Sequence, residues 1–186
     1  MINTFLFWLL AALLVIEAYN ILFHGAVPNV RTAPAIRNVI IGLLQKDQQD
    51  RKIQNYTIVD VGSGNGLFTR HIAQSIPQAN VIGLELSVLS AGWARFMKRF
   101  KKIDNLDYKR MNFLDYNFAE ADAIVMYLIP EVMQVLGKKF HEQVRPGTLI
   151  ISNKFRLGDG WEPLETLEVK TAYLHQKKVY IYRKEG

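Results

Sequence analysis

With 186 residues, the chain suits one compact domain and a short additional element, not two separate cores. Lys and Arg outnumber Asp and Glu by 23 to 17, a formal net charge of +6 that favours anionic surfaces without naming one. The absence of cysteine excludes disulfides and thiolate metal sites, and His24, His71, His141 and His175 lack the close pairing of a metal site, so no metal is expected.

Residues 5–16 are wholly apolar, and the run continues to Phe23 with Glu17 and Asn20 as its interruptions. A membrane span needs about 20 residues. Residues 2–23 are therefore expected to form a single transmembrane helix, with 1–24 an anchor and 25–186 the globular domain. Arg31, Arg37, Lys46, Arg51 and Lys52 follow the run and nothing basic precedes it, so the positive-inside rule expects a single-pass protein with its domain in the cytoplasm. After Val27-Pro28-Asn29, Thr32 is the expected N-cap of a helix with Pro34 in its first turn and Ile36, Val39, Ile40, Leu43 and Leu44 on one face. The polar residues 47–55 read as a solvated connection.

Next comes the stretch around which the chain is organised, Thr57-Ile58-Val59-Asp60-Val61-Gly62-Ser63-Gly64-Asn65-Gly66. Branched apolar residues ending in an acid suit a buried strand, and alternate glycines let the following turn bring its backbone close to a ligand. The apolar-periodic segment 67–76 then reads as a helix whose first N–H groups can face a negative group. Leu67 stands where a dinucleotide fingerprint wants its third glycine, which argues against NAD. A second strand, 80–85, ends in Glu85, placed to accept both hydroxyls of a ribose lying over the glycine turn. Asp60, the glycine spacing and Glu85 together resemble motif I and its acidic partner in class I S-adenosylmethionine-dependent methyltransferases. That resemblance implies S-adenosylmethionine as cofactor, held by Asp60, Gly62, Ser63, Gly64, Glu85 and Leu86.

Ser87 is the expected cap of a helix whose Leu89, Trp93, Phe96, Met97 and Phe100 form an apolar face, read as ordinary core packing. Arg95, Lys98, Arg99, Lys101 and Lys102 give the same helix a basic face, suited to solvent or to anionic lipid. A third strand, 106–111, leads to Asn112-Phe113-Leu114-Asp115. The family resemblance implies that Asn112 stands where an acid usually meets the adenine amino group, that Phe113 packs on the ring, and that Asp115 is the alternative partner. The fourth strand, 123–128, ends in Tyr127-Leu128-Ile129-Pro130, at the sheet centre where ligands of such sheets lie. A helix around Val132, Met133, Leu136 and Phe140 precedes the fifth strand, 149–153, and alternating stretches 164–173 and 178–183 suit a closing hairpin. The fold expected is α/β: a Rossmann-like, doubly wound, seven-stranded sheet, mostly parallel with an antiparallel closing hairpin, preceded by the transmembrane helix.

The order of Pro28, the Asp60 to Gly66 loop, Gly83-Leu84-Glu85-Leu86, Tyr127-Leu128-Ile129-Pro130-Glu131-Val132-Met133, Lys138-Lys139, Asn153-Lys154-Phe155 and Trp161-Glu162-Pro163 narrows the resemblance. It is similar to the membrane-anchored lysine methyltransferases of the ATP synthase c subunit and adenine nucleotide translocase, and more distantly to nucleosomal lysine methyltransferases that lack a SET domain. The resemblance implies N-methylation of lysine on a protein in or near the membrane by direct in-line transfer. Tyr127 is then the expected catalytic residue, with Phe155 and Trp161 as walls of an apolar pocket that disfavours the lysine's charge. The same chemistry serves a lipid headgroup or small amphiphile, and a non-catalytic S-adenosylmethionine-binding membrane protein would retain the pocket without turnover. The strand end at Tyr127 differs from the Asn-Pro-Pro-Tyr type used on base amines, so no nucleic acid partner is expected, and a monomer is the default.

Overall fold

The computed structural model of the chain describes residues 2–24, 31–158, 160–172 and 178–186. Helix α1 (Ile2–His24) and helix α2 (Pro34–Arg51) precede strand β1 (Thr57–Val61) and helix α3 (Leu67–Ser75). Strand β2 (Asn80–Glu85), helix α4 (Val88–Phe100) and strand β3 (Leu106–Arg110) follow, then a 3-10 turn at Phe113–Asp115. Strand β4 (Ala123–Met126), helix α5 (Pro130–Gln143) and strand β5 (Leu149–Asn153) complete the alternating part, and β6 (Glu165–Glu168) and β7 (Lys178–Arg183) close it.

The sheet order is β3-β2-β1-β4-β5-β7-β6. β1 pairs in parallel with β2 and β4, β4 with β5 and β2 with β3, whereas β7 runs antiparallel to β5 and β6. The seven-stranded mixed sheet with its antiparallel closing pair is thus the one expected. Both its faces are covered, which is why β4 and β5 are buried at every position and read as continuous apolar runs. One face carries Ile58, Val125 and Ile151 against Ile36, Ile40 and Leu44 of α2 and Ile72 of α3. The other carries Val59, Ile124 and Ile150 against Met133, Leu136 and Phe140 of α5.

Three expectations need correction. Among the described residues, no helix is long and apolar enough to cross a membrane. The single-pass anchor, and the cytoplasmic placement deduced from it, are therefore overturned. α1 instead comes into contact with α4. The second correction concerns α2, which starts at Pro34 with Ala33 as an N-cap that makes no side-chain bond, and continues to Arg51 through part of the expected loop. Asp47 holds that last turn by accepting from Tyr56 Oη at 2.6 Å, Arg183 Nη2 at 2.6 Å and Arg51 Nη1 at 3.2 Å.

The third lies on α4. Its sheet-facing residues are Ala91 and Ala94, and Trp93, Phe96 and Phe100 are exposed, packed instead on one another at 5.7 and 6.3 Å. Small residues are needed beneath α4 because a Cβ at Gly66 would come within 2.9 Å of the Ala94 methyl. The Val27-Pro28-Asn29 break, Asp159 and Tyr173 lie outside the described residues.

Candidate active site

The carboxyl ends of β1, β2, β4 and β5 meet at one rim of the sheet, where the glycine turn begins. Gly62, Gly64 and Gly66 have φ of 75°, 55° and 73°, conformations that cost a side-chain-bearing residue about 1–2 kcal/mol each. The turn is strapped to β2: the Gly62 and Ser63 N–H groups both donate to the Leu84 carbonyl, at 3.0 and 2.9 Å. Glu85 fastens it from the other side, accepting from Gly64 N at 2.8 Å and from Ser87 N at 2.8 Å. One carboxylate therefore bridges the glycine turn and the start of α4, where Ser87 Oγ caps Ser90 N at 3.1 Å. α3 begins at Gly66, with Leu67 N donating to Asn65 Oδ1 at 3.2 Å, and the positive end of its dipole lies at the turn.

Asp60 lies beneath this turn and is 5% exposed. It accepts from Thr69 Oγ1 at 2.6 Å. Burial pushes its carboxyl up to about 7 against the opposing effect of the Thr69 bond, with Glu85 adding to the rise. Ser63 is buried as well, and its hydroxyl has no hydrogen-bond partner. Such an orphaned hydroxyl inside a glycine turn, beside a carboxylate and a helix start, fits a polar ligand.

Sequence reasoning missed the support under the turn. Tyr108 Oη donates to the Gly66 carbonyl at 2.9 Å, and Arg70 Nη1 donates to the Asn65 carbonyl at 2.9 Å. The Tyr108 ring lies across Gly83, its register partner on β2, where a Cβ would meet Tyr108 Cδ1 at 2.6 Å and Ser63 Oγ at 2.9 Å. The signal was a glycine inside a strand pattern, which marks a close approach. A Cβ on Gly62 would meet Leu128 Cδ2 at 2.7 Å, so a side chain there collides with protein before it reaches any ligand.

On the neighbouring strand ends, Leu86 and Phe113 are partly buried. Asn112 caps the 3-10 turn by accepting from Leu114 N at 2.9 Å, and Asp115 is exposed at its far end. Tyr127 and Phe155 stack with ring centroids 6.4 Å apart, making an aromatic edge after β4 and β5. Trp161, expected to share that edge, is 7% exposed and packed behind α5, its Nε1 donating to the Gly137 carbonyl at 2.9 Å. The expected wall at Trp161 is therefore replaced by core packing against His141 and Tyr182.

A sequence model of the ANTKMT methyltransferase domain matches residues 60–165, from the buried acid of β1 to the start of β6. The chain belongs to this family. It is a methyltransferase, and S-adenosylmethionine is its cofactor. A protein-lysine N-methyltransferase of Saccharolobus islandicus (strain REY15A) is 24% identical over 162 residues, which are 84% of this chain and 94% of that protein. A tRNA (guanine-N(7)-)-methyltransferase of Lactobacillus helveticus (strain DPC 4571) is 33% identical over 96 residues, 46% of this chain and 44% of the relative. Among solved structures, an RNA methyltransferase from Salinibacter ruber in complex with S-adenosyl-L-homocysteine superposes with a TM-score of 0.71 at 24% identity, covering 84% of this chain and 94% of that one. The fold of this family member is thereby independently matched.

Proposed function

We propose that this methyltransferase acts on the side-chain amine of a lysine in a protein. The observation that carries the reading is the reach of the likeness to the archaeal protein-lysine N-methyltransferase, which takes in 94% of that protein's length. The tRNA methyltransferase likeness stops at 44% of its relative, as a shared donor-binding half would. In this reading Gly62, Ser63 and Gly64, with Asp60 beneath them, hold the amino-acid end of the cofactor. Glu85 holds its ribose hydroxyls, Leu86 and Phe113 flank the adenine, and Asn112 meets the adenine amino group through the capacity its Leu114 bond leaves unused.

When bound, S-adenosylmethionine supplies a methyl group on a sulfonium, which an amine lone pair displaces while the carbon–sulfur electrons leave on sulfur. The residues need only present that lone pair in line, since orientation alone is worth several kcal/mol of barrier. Tyr127 and Phe155 form the apolar edge over which the amine enters, and desolvation there disfavours its charged form. No obligatory general base is assigned; the amine sheds its proton to water on entry. The acceptor is proposed to be a membrane-associated protein, in keeping with the apolar surface that α1 and α4 expose at Phe5, Phe7, Trp8, Trp93, Phe96 and Phe100.

The test is methyl transfer from labelled S-adenosylmethionine into a cell extract, separated afterwards into membrane protein, soluble protein, lipid and RNA. Label in protein, recovered as methyl-lysine after hydrolysis, is the expected result. Label in lipid or RNA alone refutes the lysine assignment, and donor binding without transfer to any fraction favours a non-catalytic binder.

A further inference from the structure

Asn153, the last residue of β5, is 1% exposed, and neither its amide oxygen nor its amide nitrogen has a hydrogen-bond partner. Burying such a group unpaired is unfavourable, and a buried polar side chain left so is rare enough to require a reason. The backbone around it is also constrained. Lys154 has φ of +75°, a left-handed conformation uncommon outside glycine, and Ser152 Oγ donates to the Phe155 carbonyl at 2.6 Å, closing the turn over it.

The register says where this amide lies. Met126 pairs with Ser152, so Asn153 stands one position beyond that pair, beside the point where β4 ends and Tyr127 follows. Side chains alternate along a strand, which puts Asn153 on the face of Leu149 and Ile151. Asp60 pairs with Val125, which places Gly62 on the other flank of Tyr127. The ends of β1, β4 and β5 stand side by side, about 4.8 Å per strand, and are followed or closed by the glycine turn, Tyr127 and Asn153 respectively. α2 covers this face: its last turn is tied to Arg183 and Asp122 at the opposite rim, so its first turn lies toward Asn153.

We propose that Asn153 binds the acceptor amine, its Oδ1 accepting an N–H and so aiming the nitrogen lone pair toward the methyl donor over β4. The proposal rests on the reading of an amine acceptor given above. A neutral oxygen is the suitable partner: it orients the amine without holding it as ammonium, as a carboxylate would. Charged and titratable groups on the packed elements include Lys154, Lys178 of β7 with Glu168 of β6 at 3.8 Å, Asp60 of β1, Arg37 of α2 with His71 of α3 at 3.0 Å, and Tyr127.

The experiment uses the full chain saturated with S-adenosylhomocysteine and n-butylamine as the lysine side-chain probe. The Asn153 side-chain amide resonances, assigned by their loss in Asn153→Leu, are expected to shift on adding n-butylamine at high pH. No shift, with S-adenosylhomocysteine still bound, overturns the proposal. In the extract assay, Asn153→Leu is expected to lower transfer about tenfold or more, with S-adenosylhomocysteine affinity unchanged. Asn153→Asp is expected to be slow at neutral pH and to recover as pH is raised, a response a packing defect does not give. Label entering protein at the wild-type rate in both variants removes Asn153 while leaving the lysine reading intact. Label confined to lipid amine, with the amide shift present, does the reverse.

Discussion

At Asp60 the native fold and its proton are linked. Burial holds this carboxyl at about 7, against 3.8 for the ordinary group. Below about pH 4 it is protonated in both the folded and unfolded chain, and its contribution to stability is fully present. Between there and about pH 7 the folded chain keeps a proton that the unfolded chain has released, so stability falls as pH rises. Asp60→Asn is expected to abolish this slope, the variant gaining on the wild type by a few kcal/mol, on the order of the shift, between pH 4 and 7. Urea midpoints measured across that range check it. Glu85, by contrast, is only half-buried, and under the proposed ribose contact Glu85→Gln is expected to weaken S-adenosylhomocysteine binding by about 1–3 kcal/mol in calorimetric titration. Affinity unaltered by that change places the nucleoside elsewhere. Both acids stood out because each lies at the carboxyl end of an apolar strand, Asp60 just before a glycine turn, and that is a local pattern. Ser63 was named through the family resemblance alone, and Asn153 carried no mark as a binding residue, since lacking a partner is a property of the folded surroundings.

Elements were legible to the extent that one side of each was distinctive. The glycine turn, β2 and β5 follow their sequence patterns at both ends, and Ser87 caps α4 as its position before an apolar run implies. α4 itself was misread because helical spacing identifies an apolar face without saying which side the sheet takes. Two alanines won that side, since the approach to Gly66 and Tyr108 leaves no room for rings. The same crowding defines a test at Gly83, where a methyl would lie 2.6 and 2.8 Å from two Tyr108 ring carbons. Gly83→Ala is expected to destabilise the chain by about 1–3 kcal/mol, and Tyr108→Leu in the same chain to restore part of that loss. Denaturation of the two single variants and the double variant measures it. Arg95 bears on the same place, donating to the Tyr108 carbonyl from Nε at 3.0 Å and Nη2 at 2.9 Å, so part of the basic face of α4 anchors β3.

Over the whole molecule, topology was readable because strands alternated with helices until the hairpin, and right-handed crossovers leave few other orders. The reach of α2 was not, because its final polar turn looks like a loop until its partners arrive from distant strands. Asp47 meets Tyr56 and Arg183, and Asp122 accepts from Arg145 Nη2 at 2.6 Å and from Thr57 N at 2.9 Å. Asp47→Ala leaves the Tyr56 hydroxyl buried without this acceptor and is expected to cost about 3–5 kcal/mol in urea unfolding. These carboxylates, together with Arg51, Arg145 and Arg183, rivet the amino-terminal rim of the sheet. The opposite rim ends in left-handed glycines, an orphaned serine and an orphaned asparagine. Amide hydrogen exchange is therefore expected to be quicker at this second rim, whose two orphaned side chains await a partner, than at the riveted one, which keeps the strands in register.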